Sequence, residues 1–200
     1  DGIVVWCEEN NIRFVTQPDE GFRHTLILNK AAKIAKGEYL VWIMGDSYPN
    51  EDFLEVLSRV VSPDKIHTGV RINVDPEGKI ISPDWRIDRV LFEVEGQEEI
   101  QIYHSRPWEL MTLNSMAMPR AAFENMGGIY TEYVGYGQMD WDMTAWAFYH
   151  GMKLCWAPKA IINHIAHPDR EDSPESIEIF KRRLEGFKNE GKKERTLDKM

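Results

Sequence analysis

Short apolar runs alternate with stretches of helical periodicity in the first part of the chain, the order in which an α/β domain lays down strands and their covering helices. Residues 3–7 and 12–15 are rich in β-branched and aromatic side chains and predict strand-like pieces. Residues 24–36 place Leu28, Ala31, Ala32 and Ala35 on one face and stop at Gly37, which predicts a helix ended by glycine. The run 38–44 reads as a buried strand closed by Gly45-Asp46-Ser47. Asn50 as a cap, with Glu51 and Asp52 in the first turn, predicts a helix from there to about Val61.

From 65 to 103 the pattern changes to strands and loops: a strand at 66–74, a turn at 75–78, then the polar stretch 82–86, read as a substrate-facing insertion. Further strands are predicted at 112–118, 154–157 and 160–163, with helices at 120–126 and 140–150, closed by Gly127-Gly128 and Gly151. From 173 the chain is helical with Pro174 in the first turn, and 181–200 becomes increasingly charged. No internal repeat interrupts this pattern. With 200 residues and 42% hydrophobic content it describes one globular α/β domain, residues 1–172, followed by a charged helical tail, 173–200.

Charge narrows the partners. A formal net charge of -9 and a pI of about 5.2 oppose a phosphate backbone laid along the surface, so nucleic acid is not expected. A nucleotide is still accessible, because one diphosphate needs only a few donors and a cation. The longest apolar run, 39–45, falls well short of the roughly 20 residues that cross a bilayer, so no transmembrane segment is predicted and the expected location is cytoplasmic. Cys7 and Cys155 both sit in apolar surroundings and read as buried thiols. The chain opens without a methionine inside an apolar run, which predicts that further residues precede it.

Two places carry chemistry. Asp46 follows a buried strand and precedes a turn and helix, at the sheet edge where ligands of α/β proteins bind, and a carboxylate there can hold a divalent cation against phosphate oxygens. The alternative reading is a turn-former or cap. The segment 127–142 combines two glycine pairs, the aromatic Tyr136 and the acids Asp140 and Asp142 at a helix start. Glycines permit close approach to a ligand, an aromatic ring stacks on sugar, and an acid in that place can serve as general base. Here too a plainer alternative stands, in which both acids only complement the helix dipole. Trp85, Arg86, Trp108 and Trp141 are candidate walls of an acceptor groove, with Tyr136 and Trp141 favoured for sugar contact.

The order Gly127-Gly128, Gly135-Tyr136-Gly137, Asp140 and Asp142, followed by a helix ending in glycine, resembles the glycosyltransferase family 2 and β-1,4-galactosyltransferase group, including chondroitin-polymerase-like enzymes. The preceding stretches resemble the same group: 17–23 through Asn29 to 37–39, then 44–49, then Asn114 with Pro119-Arg120. The resemblance spans about residues 12–168. It implies a GT-A fold, a Rossmann-like mixed and mainly parallel sheet flanked by helices, with the first strand and nucleotide-base loop lying before residue 1. It further implies an inverting transfer from a nucleotide diphospho-sugar, a UDP-sugar by family frequency, to a glycan or other hydroxyl acceptor.

In that scheme Asp140 is the general base, and Mn²⁺ or Mg²⁺ is held by Asp46 with His164, or with His167 as the fallback ligand. Arg23 and Asn29 join Asp46 in donor binding, while Tyr136, Gly137, Trp141 and Asp142 contact sugar or acceptor. The sequence departs from the pattern at Met44, where the first acid of the Asp-x-Asp motif is expected, and at Met139, where a Glu is expected beside Asp140; Tyr130 and Thr131 stand where Asp-Glu is usual. These departures admit a rival, a GT-A-fold protein that binds glycan or nucleotide with impaired turnover. A sugar-nucleotide nucleotidyltransferase would need a glycine-rich, basic N-terminal loop, which this chain does not show.

Overall fold

The computed structural model describes residues 2–86, 96–168 and 170–197, with side chains as far as 191. The part of the 65–103 stretch that falls on 87–95 lies outside the described residues. Six helices are seen among them: α1 (Gly2–Glu9), α2 (His24–Ile34), α3 (Phe53–Val60), α4 (Arg120–Asn125), α5 (Met139–Tyr149) and α6 (Pro174–Leu197). The strands are β1 (Tyr39–Val41), β2 (Ser47–Pro49), β3 (Lys65–Val74), β4 (Ile80–Pro83), β5 (Ile100–Gln101), β6 (Met116–Pro119) and β7 (Lys153–Ile165).

All seven strands join one mixed sheet in the order β1-β6-β3-β7-β2, with β4 added to β3 and β5 to β7. The long β3–β7 ladder is parallel, as a connection through α4 and α5 allows. The shorter strands pair antiparallel around that spine. β3 and β4 form a hairpin because Asp75 to Lys79 closes a turn, with Gly78 at φ 84°. The mixed α/β architecture expected from the sequence is present, with its parallel component concentrated in one long ladder.

Alternation along the strands separates two apolar layers. Met116, Met118, Leu154 and Trp156 face the larger core beneath α4, α5 and α6. Ala117, Ala157, Ala160 and Ile162 face the smaller one, filled by Phe53, Val56 and Leu57 of α3. Helices α2, α3 and α5 lie where periodicity and end signals put them. Residues 154–157 and 160–163 prove to be one strand interrupted by an irregularity, where Gly69 makes room for the Ala160 carbonyl.

Three expectations are corrected. Residues 3–7 are not a strand but most of α1, and only Cys7 of that helix is buried. A strand must find a neighbour for its backbone groups, and among the described residues none lies beside this run; helical hydrogen bonds satisfy them locally. Residues 12–15 form no ladder, and Asn11 at φ 54° ends α1 just before them. The segment 112–118 becomes strand only from Met116, because residues 112–115 turn to carry Asn114 toward Ser47. One short strand, β2, was missed between Asp46 and α3.

Helix α6 begins as its sequence suggests: Pro174 occupies the first turn and the Ser173 hydroxyl accepts the Ser176 N–H at 3.1 Å. Its first half is no free tail. Phe180 and Phe187 are buried against the main core, and Arg183 reaches Asp142 of α5 at 2.6 Å. Asp142 is almost fully buried, so removing its charge strands the guanidinium. Asp142→Ala should lower stability by about 3 kcal/mol, measured by urea unfolding; a loss under about 1 kcal/mol, the range of exposed pairs, would show that the pair does not hold α6 in place.

Candidate functional site

Strands β2 and β7 bring together residues that are far apart in the chain. Ser47 stands opposite His164 in the antiparallel β2–β7 ladder, and the Ile165 N–H bonds the Asp46 carbonyl at 2.9 Å. The Asp46 Oδ2 then lies 3.7 Å from His164 Nε2 and 3.5 Å from His167 Nε2, and the ligand atoms of all three fall within 4.8 Å of one another. The other carboxylate oxygen accepts the Ser47 hydroxyl at 3.0 Å, and Asn114 donates to Ser47 in turn.

Both imidazoles turn the same nitrogen inward. His164 Nδ1 lies 3.1 Å from Asn73 Oδ1, and His167 Nδ1 lies 2.9 Å from the Pro168 carbonyl. These partners only accept, since the Asn73 amide nitrogen is committed to Ser82, so each Nδ1 carries a proton, and a neutral ring so bonded presents a bare Nε2 to Asp46. Burial, with the Arg71 charge, lowers the His164 pKa and keeps that ring neutral. With both rings neutral, two nitrogen lone pairs and a carboxylate oxygen face one another. A divalent cation resolves that arrangement, and the outer hydrogen bonds are those that orient metal-binding histidines. The donor set therefore fits a divalent cation.

Asp140 sits in the first turn of α5, half-buried, its Oδ1 accepting the Trp141 N–H at 3.0 Å. Burial raises its pKa and the Arg86 charge opposes the rise. Arg86 shares the buried Asp84 with Arg71, whose charge acts on His164, so a chain of charged groups runs from Asp140 to the metal-type cluster. On another side Tyr136, 40% exposed, neighbours Phe22 with ring centroids 6.1 Å apart; Phe22 neighbours His24, which feels Asp46.

Several expected contacts prove to be internal. Asn29 does not face a donor: its amide donates to the Ile129 carbonyl at 2.7 Å and accepts the Ile129 N–H at 2.9 Å. Gly128 is needed because a Cβ there would lie 2.6 Å from that Asn29 amide. Gly137, at φ 96°, likewise makes room for Asp172 rather than for a sugar. Asp172 is held there by Gln138 at 2.6 Å. Asp142 is buried on Arg183, and Trp141 packs edge-on to Phe180, so both face α6 instead of an acceptor. Trp108 is core, against Phe148 and Tyr149, while Trp85 is 47% exposed. Arg23 precedes α2 and its guanidinium makes no ion pair among the described residues. Met44 and Met139 both pack against the main core.

Residues 101–168 match a family model described as the N-terminal domain of galactosyltransferase. No curated protein sequence matches the chain. Among solved structures, S. aureus TarS 1-349 in complex with UDP-GlcNAc is similar with a TM-score of 0.66 and 15% identity, over 93% of this chain and 53% of that one. GalNAc-T7 with UDP, GalNAc and Mn²⁺ gives 0.62 and 14%, over 92% of this chain and 38% of that one. The mannosyltransferase PcManGT from Pyrobaculum calidifontis, in complex with GDP-Man and Mn²⁺, gives 0.52 and 16%, over 85% and 44%. This chain has a GT-A-like fold. It spans about half or less of the length of these structures. No helix of this GT-A-like domain among the described residues is long and apolar enough to cross a membrane.

Ser47, Arg71, Asn73, Gln138 and Asp172 escaped the sequence reading, which named Arg86 and the 82–86 stretch but not the pairing of Arg71 and Arg86 on Asp84. Of the missed residues, Ser47, beside Asp46, had a local signal. Another buried group is His67, fully enclosed, with Nε2 2.6 Å from Glu99 and Nδ1 unpaired. Burial lowers the pKa of His67, and also of His24 and His164. A histidine with a depressed folded pKa binds fewer protons folded than unfolded, so stability is full above the unfolded value of about 6.5 and declines on acidification below it. The melting temperature should fall between pH 7.5 and 5.5, and His67→Gln should shrink that fall; an equal or larger fall in the variant refutes the neutral assignment of His67.

Proposed function

We propose that this domain transfers a sugar from a nucleotide diphospho-sugar, of the UDP-sugar class, to a hydroxyl of a glycan or other acceptor, with inversion. The observation that carries the reading is the convergence of Asp46, His164 and His167, whose ligand atoms lie within 4.8 Å of one another while an acceptor holds the Nδ1 of each imidazole. These residues would hold Mn²⁺ or Mg²⁺, which when bound supplies charge stabilisation to a departing nucleoside diphosphate.

Asp140 is the proposed general base. Its second oxygen, not bonded to the Trp141 N–H, takes the proton of the acceptor hydroxyl as that oxygen attacks the anomeric carbon. Burial raises its pKa toward the range where a base accepts a proton readily, and the Arg86 charge works against that rise. The half-exposed Tyr136 ring offers a flat apolar face to a sugar. Arg23, free of ion pairs beside α2, is available to a phosphate. The binding-protein reading rests on Met44 and Met139, both turned to the core where the resembling family has acids.

Separable phenotypes test the scheme in the full-length protein. Asp140→Asn keeps the shape and loses the base, so nucleotide release with acceptor should fall about 10²- to 10⁴-fold while UDP affinity measured by calorimetry with Mn²⁺ stays within about twofold. Asp46→Asn should weaken the Mn²⁺-dependent part of UDP binding. Equal turnover in wild type and Asp140→Asn rejects the base, and UDP binding without turnover in wild type favours the binding-protein reading.

A further inference from the structure

Asp84 lies just beyond β4, is 2% exposed, and holds two guanidinium groups. Arg71 Nη2 contacts its Oδ2 at 2.6 Å, and Arg86 Nη1 bonds Oδ2 at 3.0 Å and Oδ1 at 3.2 Å. The knot is rigid, because the Arg86 N–H also bonds Oδ1 at 2.9 Å and the Asp84 N–H bonds the Arg71 carbonyl at 3.0 Å. Trp85 lies under the Arg86 guanidinium at 4.8 Å.

Among the described residues, two permanent positive charges therefore share one carboxylate in direct contact. Arginine does not relieve such a surplus by losing a proton. Asp140 answers Arg86 only through space, and Arg71 spreads its charge toward His164 and Tyr136. Arg71 bonds Asp84 through Nη2 alone and Arg86 through Nη1 alone, which leaves the second η nitrogen of each without a partner among the described residues. The Nε of each is buried and unpaired as well. A guanidinium fork fixed along one edge presents its remaining donors in the geometry that oxyanions accept.

We infer that Arg71 and Arg86, held on Asp84, form an oxyanion-binding subsite between the metal-type cluster and Asp140, for a phosphate or carboxylate group carried by a substrate. Its place in the transfer rests on the function proposed above; the binding itself does not. Two sources share this chemistry, the donor's diphosphate and an anionic group on the acceptor. Asp84 is a positioning residue, since it touches no ligand and sets where both forks point.

Calorimetric titration of the metal-free protein with inorganic phosphate tests the subsite. Wild type should bind, and Arg71→Gln and Arg86→Gln should each bind at least about tenfold more weakly, the loss expected for one charge-assisted contact of about 1.4 kcal/mol or more. Circular dichroism checks folding; if Arg71→Gln unfolds, Arg86→Gln, which leaves Asp84 paired to Arg71, carries the comparison. No phosphate binding in wild type, or equal affinity in a folded variant, overturns the subsite. Repeating the titration with saturating UDP and Mn²⁺ separates the sources: phosphate still bound assigns the subsite to an anionic acceptor, and phosphate displaced assigns it to the donor diphosphate. Wild type that binds phosphate but no UDP keeps the subsite and rejects the transferase reading, so the two failures are distinct.

Discussion

His164 has Asn73 of β3 beside it on one side and Ser47 of β2 on the other, and the metal-type cluster exists because β7 is shared by a parallel and an antiparallel neighbour. The register of that shared strand is reset once, where Ala157 pairs Gly69 and the next partner of β3 is Ile161. Without the reset, Asn73 would stand opposite Ile161 instead of His164. An odd number of extra residues also inverts which β7 side chains face each side of the sheet, since the strand repeat is two. Gly69 permits it, because a side chain there would meet the Ala160 carbonyl, and Phe53 at 3.2 Å. A glycine in the sheet interior thus decides that Asn73, the partner of the His164 Nδ1, stands opposite His164.

The second dependence is of the glycine-rich loop on the rest of the chain. Its glycines give close approach, as their composition suggests, but to Asn29 of α2 and to Asp172 before α6. Asn29 bonds both backbone groups of Ile129, and Gln138, itself in the left-handed region at φ 68°, bonds Asp172. The loop is clamped at both ends by side chains of its own protein, and α5 starts directly after the second clamp. Asp140 is therefore held by elements that precede and follow it by more than thirty residues, the kind of outer support a positioned base needs.

What could be read in the sequence followed the range of the physics involved. Helices α2, α3, α5 and α6 announce themselves through periodicity and end residues within a dozen positions. Residues 3–7 misled because strand formation is decided by a partner, and β-branched composition says nothing about whether one is present. Asp46, His164 and His167 were legible because ordered motifs place them, whereas Asn73 and Asp84 are polar residues in and after strands with no local sign of their role. Asp140 and Asp142 illustrate the limit best. Two positions along a helix rotate by about 200°, so the acids leave α5 on opposite sides, one toward Arg86 and the other to a buried pair with Arg183. Nothing in the spacing tells which side belongs to α6, because Arg183 is 41 residues away.

The two methionines shape how the site would balance charge. A cation on Asp46 with two neutral imidazoles meets one formal negative charge, where an Asp-x-Asp pair would offer two. A weaker anionic set holds a free divalent ion less tightly and leaves more positive charge for a diphosphate to complete. Met44 cannot restore the missing charge, since it packs against the core, but Arg71 adds to the positive field beside His164. Both features act in one direction. For the transfer proposed above, they would favour anion and cation entering as a unit over a site charged with metal in advance, and would make the affinity for metal alone a poor measure of nucleotide binding.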